Sequence, residues 1–341
     1  MELICIEEHT VDGDIRAAAG PALEREAPYL DRQLGSGAGD DTTADRPVPV
    51  RMDLALERAQ DLGAGRIAAM DAHGIDVQVV SYSSPAQLVP DADAVRLTRA
   101  ANDRLAAAAA AYPDRLAGFA VLPWQHPQAA ADELERTVRE LGMCGALIVG
   151  RPGTTFFDDP RHSPALEKAA ALGVPLYLHP FAPLPQVQEP YYGGFADEVS
   201  ATLSLAGWGW HHEAGVHVLR MILGGVFERI PGLQVISGHW GEMVPWFLPR
   251  LDDALPSRAT GLSGSISEIY REHVWVTPSG MFHAGQLAFV RDVVGLDRVM
   301  WSVDHPYLTM DGTRGFLDGA DLTDDERHAV THGNAKALLG L

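Results

Sequence analysis

The stretch Leu3-Ile4-Cys5-Ile6-Glu7-Glu8-His9, residues 3–9, is a short apolar run that ends in two acids and a histidine. Three later runs close in the same manner: VPLYLH at 174–179, QVISGH at 234–239 and RVMWSVD at 298–304. Each reads as a buried strand with a metal-ligating residue type at its C-terminal end. A closed barrel of parallel strands gathers all such ends on one rim, where active sites are built. Residues as distant in sequence as His9 and Asp304 would then meet. Side chains alternate along a strand, so Glu7 and His9 are expected to share a face with Leu3 and Cys5, while Glu8 turns toward the surrounding helices.

Working outward, β-type runs recur at Leu3–His9, Asp76–Tyr82, Leu116–Leu122, Cys144–Val149, Val174–His179, Gln234–His239, His273–Thr277 and Arg298–Asp304. Helical patterns lie between or after them, near 52–73, 93–111, 127–141, 163–172, 213–230, 241–253, 283–294 and 323–339. This alternation predicts an α/β fold, a (β/α)8 TIM-like barrel, with residues 1–341 forming a single domain. The stretch 10–50 reads as an insertion loop after the first strand, at the catalytic face. Its segment Gly35–Thr43 is rich in glycine, serine and threonine, which suits either a surface insertion or a lid.

Composition narrows the function classes. The chain has 341 residues, 46% hydrophobic and 21% charged, as in a globular protein. A formal net charge of −20 argues against a nucleic-acid partner, because such partners require clustered Lys and Arg. No apolar run reaches the length of a membrane helix, and the N-terminus lacks the basic region of a signal peptide. Cys5 and Cys144 sit in apolar runs and read as buried thiols. Together these features predict a cytoplasmic enzyme with no membrane or nucleic-acid partner.

The candidate ligand set contains imidazoles and carboxylates without a thiolate. It suits Zn2+, and also Mn2+ or Fe2+, with room left for substrate. Among the other histidines, His211, His212 and His217 read as structural residues of a helix start, and His217 could pair with Glu213. His73 reads as a helix C-terminal residue favoured by the dipole.

The sequence as a whole resembles the decarboxylase branch of the amidohydrolase superfamily, the group that includes γ-resorcylate, 5-carboxyvanillate and aminocarboxymuconate-semialdehyde decarboxylases. The likeness runs through IEEH (6–9), MDAHGID (70–76), YPDRLAGFAVLP (112–123), VPLYLHP (174–180), GVHVLRMILGGVFERIPGLQVISGHWGE (215–242), VWVTPSG (274–280), RVMWSVDHP (298–306) and THGNAKALL (331–339). The resemblance implies one divalent metal per chain, zinc or else manganese, held by Glu7, His9, His179 and Asp304. It implies that Asp304, His239 and Glu242 are the catalytic group and that Arg250 contacts substrate. Trp240 and His305, next to two of these residues, are the expected pocket walls.

The implied activity is non-oxidative decarboxylation of a hydroxylated aromatic or related unsaturated carboxylic acid, with Asp304 protonating the ring. A hydrolase or hydratase that activates water on the metal is the alternative, and Glu7-Glu8-His9 in place of His-x-His favours the decarboxylase. Val149 stands where γ-resorcylate decarboxylases carry asparagine, which points to a different substrate. The resemblance also implies a homodimer or homotetramer.

Overall fold

The computed structural model describes residues 1–30 and 52–341. The Gly35–Thr43 segment singled out above lies outside the described residues. Seven parallel strands appear in chain order: β1 Ile4–Thr10, β2 Val77–Tyr82, β3 Leu116–Gly118, β4 Ala146–Val149, β5 Leu176–His179, β6 Val235–Ser237 and β7 Val274–Val276. They form two ladders, β1-β2-β3 and β4-β5-β6-β7.

Single bridges join these ladders into a ring. Ala120 pairs with Ala146, linking the continuation of β3 to β4. The expected eighth strand forms no regular ladder, yet Val299 bridges to Val276 and Trp301 to Cys5. Its backbone bonds both neighbours: Met300 N–H donates to Val276 at 3.0 Å, and Asp304 N–H to the Glu7 carbonyl at 3.0 Å. The segment 299–304 therefore closes the barrel between β7 and β1.

One buried cluster confirms the closure. It draws Ile4 and Ile6 from β1, Val79 from β2 and Phe119 from beyond β3. Leu147 and Val149 of β4, Tyr177 of β5, Ile236 of β6, Trp275 of β7 and Met300 of the closing segment complete it. Only the interior of a barrel lies within reach of all eight segments. Leu3, Cys5, Val299, Trp301 and Val303 instead belong to the larger core between barrel and helices.

This partition corrects the expected reading of β1. Ile4 and Ile6 face inward, and Leu3 and Cys5 face outward, so unbroken alternation would bury Glu8 inside. The register against β2 shifts between Cys5 and Glu8. Such a bulge resets the alternation. Glu7 and His9 consequently turn inward directly after Ile6. Glu8 turns outward, where it accepts from Val303 N at 2.9 Å and His305 N at 3.2 Å.

Within the expected insertion loop, Gly13–Glu26 is a helix capped by the Asp12 carboxylate, which accepts from Ile15 N. The expected 52–73 helix is two, Met52–Ala59 and Ala64–His73. Asp61 breaks it by accepting from Gly63 N at 2.7 Å, a local turn that competes with helix. Asn334 of the C-terminal helix donates to Leu296 O and Val299 O, while Ala335 and Leu339 belong to the barrel-interior cluster.

His217, on the helix Gly209–Leu223, accepts from Phe157 N at 3.0 Å and packs against the Phe157 ring. Burial lowers its pKa to about 3. It is neutral when folded and takes a proton near pH 6.5 when unfolded. Its stabilisation is therefore complete above pH 6.5 and is lost as pH falls below that value, by at most ~1.4 kcal/mol per unit. His217→Gln keeps an acceptor for Phe157 N without the proton. Thermal melts between pH 7.5 and 5 should show a shallower acid loss in this variant than in the parent; equal slopes would refute the assignment.

Candidate metal centre and active site

Glu7 and His9 leave β1, His179 ends β5 and Asp304 ends the closing segment, so all four reach the same rim. Glu7, His9 and His179 each present one donor atom, all within 4.8 Å of one another. Asp304 Oδ1 lies 3.1 Å from His9 Nε2. The His9 and His179 rings meet edge-on at 4.8 Å.

The surrounding hydrogen bonds aim these atoms. Glu7 Oε2 accepts from Thr277 Oγ1 and Ser302 Oγ, each at 3.1 Å, and from Ser279 Oγ. Three hydroxyl donors are thus spent on one oxygen. Ser81 Oγ lies 3.2 Å from His9 Nδ1. His179 Nδ1 donates to the Pro180 carbonyl at 2.8 Å, which leaves the Nε2 lone pair free. Outer contacts of this kind fix the tautomer and direction of metal-binding imidazoles. Glu7 Oε1, His9 Nε2 and Asp304 Oδ1 remain buried without a hydrogen-bond partner. Unpartnered buried acceptors are costly. A divalent cation fits this donor set and removes the penalty.

The electrostatics agree. Desolvation is the leading influence on Glu7 and raises its pKa, with the neighbouring Asp304 charge adding to it. Desolvation likewise drives His179 well below the usual imidazole range, reinforced by His9 and His239. A neutral His179 is the protonation state that metal binding requires, and the raised Glu7 marks a carboxylate that a nearby cation would stabilise.

A second group lies alongside. Glu242 bridges His239 and His211, with 2.8 Å from each Nδ1 to a carboxylate oxygen. The His239 ring is 6.2 Å from that of His179 and 4.4 Å from that of His211. Burial alone pushes His239 down, but Glu242 outweighs it, with Glu7 and Asp304 assisting, and raises it to about 9. Glu242 moves in the opposite direction: burial raises it, and the two histidines more than compensate. A cation beside His179 opposes the rise at His239 by like-charge repulsion.

The backbone here is strained. His239, Trp240, Glu242, Met243, Ser279 and Asp304 all have positive φ, between 47° and 66°. Each such residue costs on the order of 1–3 kcal/mol and persists only where its surroundings enforce it.

The remaining expected residues fall elsewhere. Trp240 follows His239, but its left-handed turn sends the indole into the main core, where Nε1 donates to Met281 O at 2.7 Å. Instead, Trp210 sets its ring 6.4 Å from that of His179. Tyr307 places its own 5.7 Å from His9 and holds Ser83 Oγ at 2.6 Å. His305 faces a separate cavity behind the barrel wall, with Arg58 and Arg66. Arg250 is exposed on the helix Val244–Ala254, with no ion pair or hydrogen-bond partner among the described residues.

His211 reads as structural from sequence, and Trp210, Tyr307 and the hydroxyls on Glu7 carry no sequence signal toward the site. Ser302 is the exception, since it stands two residues before Asp304 on one strand face. His217 does not meet Glu213, which pairs with Arg151 at 2.8 Å.

Residues 36–341 match the amidohydrolase family model. The decarboxylase orsB of Emericella nidulans is 36% identical over 94% of this chain and 97% of its own length. A γ-resorcylate decarboxylase of a Rhizobium species is 34% identical over 83% of this chain and 89% of its own. Among solved structures, the 5-carboxyvanillate decarboxylase of Novosphingobium aromaticivorans, complexed with manganese and 4-hydroxy-3-methoxy-5-nitrobenzoic acid, superposes with a TM-score of 0.87. It is 29% identical, with 100% of this chain and 96% of that one covered. With a barrel whose strand ends carry this ligand set, the chain belongs to the amidohydrolase family.

Proposed function

We propose that the protein is a metal-dependent, non-oxidative decarboxylase of a small hydroxylated aromatic carboxylic acid. The observation that carries this reading is the convergence of three unpartnered buried atoms, Glu7 Oε1, His9 Nε2 and Asp304 Oδ1, beside His179. These four residues hold one divalent ion. Zinc suits the ligands, and manganese is the ion in the solved relative. When bound, the ion supplies Lewis-acid charge for the carboxylate and the adjacent hydroxyl of the substrate.

The protein's own groups do the rest. Asp304, in its neutral form, delivers its proton to the ring carbon that bears the carboxylate. The carbon–carbon bond then breaks, its electron pair returns to the ring, and CO2 leaves. His239 keeps Nε2 free, since Nδ1 is engaged by Glu242, and serves as the adjoining proton store. Trp210 and Tyr307 exclude water and flank the ring. Val149, apolar and buried at the end of β4, offers no hydrogen bond to a second ring hydroxyl. This favours a substrate other than γ-resorcylate.

Residues 1–341 act as one domain in this reading. None of the described helices is long and apolar enough to cross a membrane, and we infer a cytoplasmic enzyme. We also infer a homo-oligomer, because Trp246 and Phe247 stand 67% and 53% exposed on the helix that carries Arg250. Arg250, exposed one turn from Trp246, would contact a substrate anion across the interface of such an oligomer.

Elemental analysis of chain purified without chelator should find one divalent ion per chain, and His179→Ala should lose it. Ser279→Ala, which frees a donor from Glu7, should weaken metal affinity ~10–100-fold. Full metal retention in both variants would remove the centre from its assigned residues.

Arg250→Met should lower kcat/KM by ~30-fold, about 2 kcal/mol, at unchanged metal content. Unaltered kinetics would return Arg250 to the surface.

Ortho-hydroxy benzoic acids should first be screened for CO2 release. Turnover of an accepted acid in deuterated water should place one deuterium at the former carboxyl carbon. Asp304→Asn should abolish both label and CO2. Cleavage with solvent oxygen entering the product and no CO2 would establish a hydrolase instead.

A further inference from the structure

Behind the barrel wall, on the side of β1 away from the metal ligands, lies a cavity of about 520 Å³. It sits between the helix Ala64–His73 and the segment after Asp304, and no step of the proposed reaction uses it. Its volume is that of a small-molecule site.

The polar lining sets two arginines, Arg58 and Arg66, beside two aspartates, Asp61 and Asp311, with His73, His305 and Thr309 between them. His305 lines the cavity at 6% exposure, and its imidazole has no hydrogen-bond partner among the described residues. Arg66 lines it at 2% exposure. Its guanidinium spends three donor contacts, on Asp61 O, Gln78 Oε1 and His9 O. A guanidinium carries five N–H groups, so two stay unspent. Arg58 stands at the mouth, exposed, and its side chain makes neither an ion pair nor a hydrogen bond among the described residues.

The acids on this wall are already engaged. Asp61 Oδ1 takes Gly63 N–H at 2.7 Å, and Asp311 pairs with His73 at 3.0 Å. Glu8 accepts from two backbone N–H groups of the closing segment and from Gln78. Ala69 and Met310 supply an apolar floor. A carboxylate facing Arg58, Arg66 and His305, with a flat ring over Ala69 and Met310, would give these donors an acceptor.

We propose that this cavity is a second binding site, distinct from the metal centre, for a small aromatic carboxylate. It adjoins the ligands directly. The His305 carbonyl accepts from His9 N at 2.6 Å, and Arg66 donates to the His9 carbonyl at 2.6 Å. An occupant of the cavity therefore bears on the backbone of His9 and on the residue after Asp304. The proposal is a binding statement and stands whether or not the enzyme is a decarboxylase.

Benzoate is the probe, since it lacks the ortho hydroxyl of a chelating substrate. Backbone hydrogen exchange of the metal-loaded enzyme should show benzoate-dependent protection over residues 64–73. Calorimetric titration should show benzoate affinity falling at least tenfold in Arg58→Glu and in Ala69→Trp, with metal content unchanged. Arg58 is exposed, so its replacement does not threaten folding. Protection confined to segments carrying Glu7, His179 or Asp304 would overturn the second site, as would undiminished benzoate affinity in both variants.

Discussion

The placement of Glu7 in a fully buried position constrains everything else at the rim. A carboxylate removed from water is expensive unless hydrogen bonds and opposite charge replace its hydration. Three hydroxyls, from Thr277, Ser279 and Ser302, all go to Oε2. Oε1 is left with two imidazoles and a second carboxylate as neighbours. That asymmetry makes sense only if Oε1 has a partner of its own, and a divalent cation is the partner that also suits His9, His179 and Asp304. The hydroxyls come from β7 and the closing segment, the ligands from β1, β5 and the closing segment. The centre thus depends on barrel closure, although single bridges rather than long ladders achieve that closure.

The rim is also where the backbone departs from relaxed geometry. Five consecutive left-handed residues, His239 to Met243, turn the chain sharply at the end of β6, aiming His239 at the centre and Trp240 into the core. Packing holds this arrangement in place. Gly241, at φ 85°, has the Tyr270 hydroxyl 2.4 Å from where a Cβ would stand, so only glycine fits there. Strain near a site gives pre-organisation, since the groups need not reorient when substrate arrives.

Sequence showed the strand-end placement of the candidate ligands because its signal is local: an apolar run that ends in a histidine or acid places that side chain at a strand end, whatever surrounds it. The inward turn of Glu7 and His9 was anticipated for the wrong reason. Alternation from Leu3 predicts it, but Leu3 faces outward, and a bulge against β2 restores the parity. A bulge belongs to strand pairing, which no single strand encodes. The same limit hid Trp210 and His211, carried to the rim by a helix after the long excursion that follows β5. It also misplaced Trp240 and His305. Adjacency to a ligand in sequence became opposition in space, through a left-handed turn in one case and strand alternation in the other.

Charge balance ties binding to chemistry. In the proposed centre one divalent cation would balance the carboxylates Glu7 and Asp304, inside a chain of net −20. An arriving substrate carboxylate then adds a negative charge at short range, where the low dielectric magnifies it. Decarboxylation disposes of that charge. The carboxylate leaves as neutral CO2, and the proton taken up at the ring carbon keeps the charge from staying behind on the product. Turnover thus returns the pocket to the balance it held before substrate arrived.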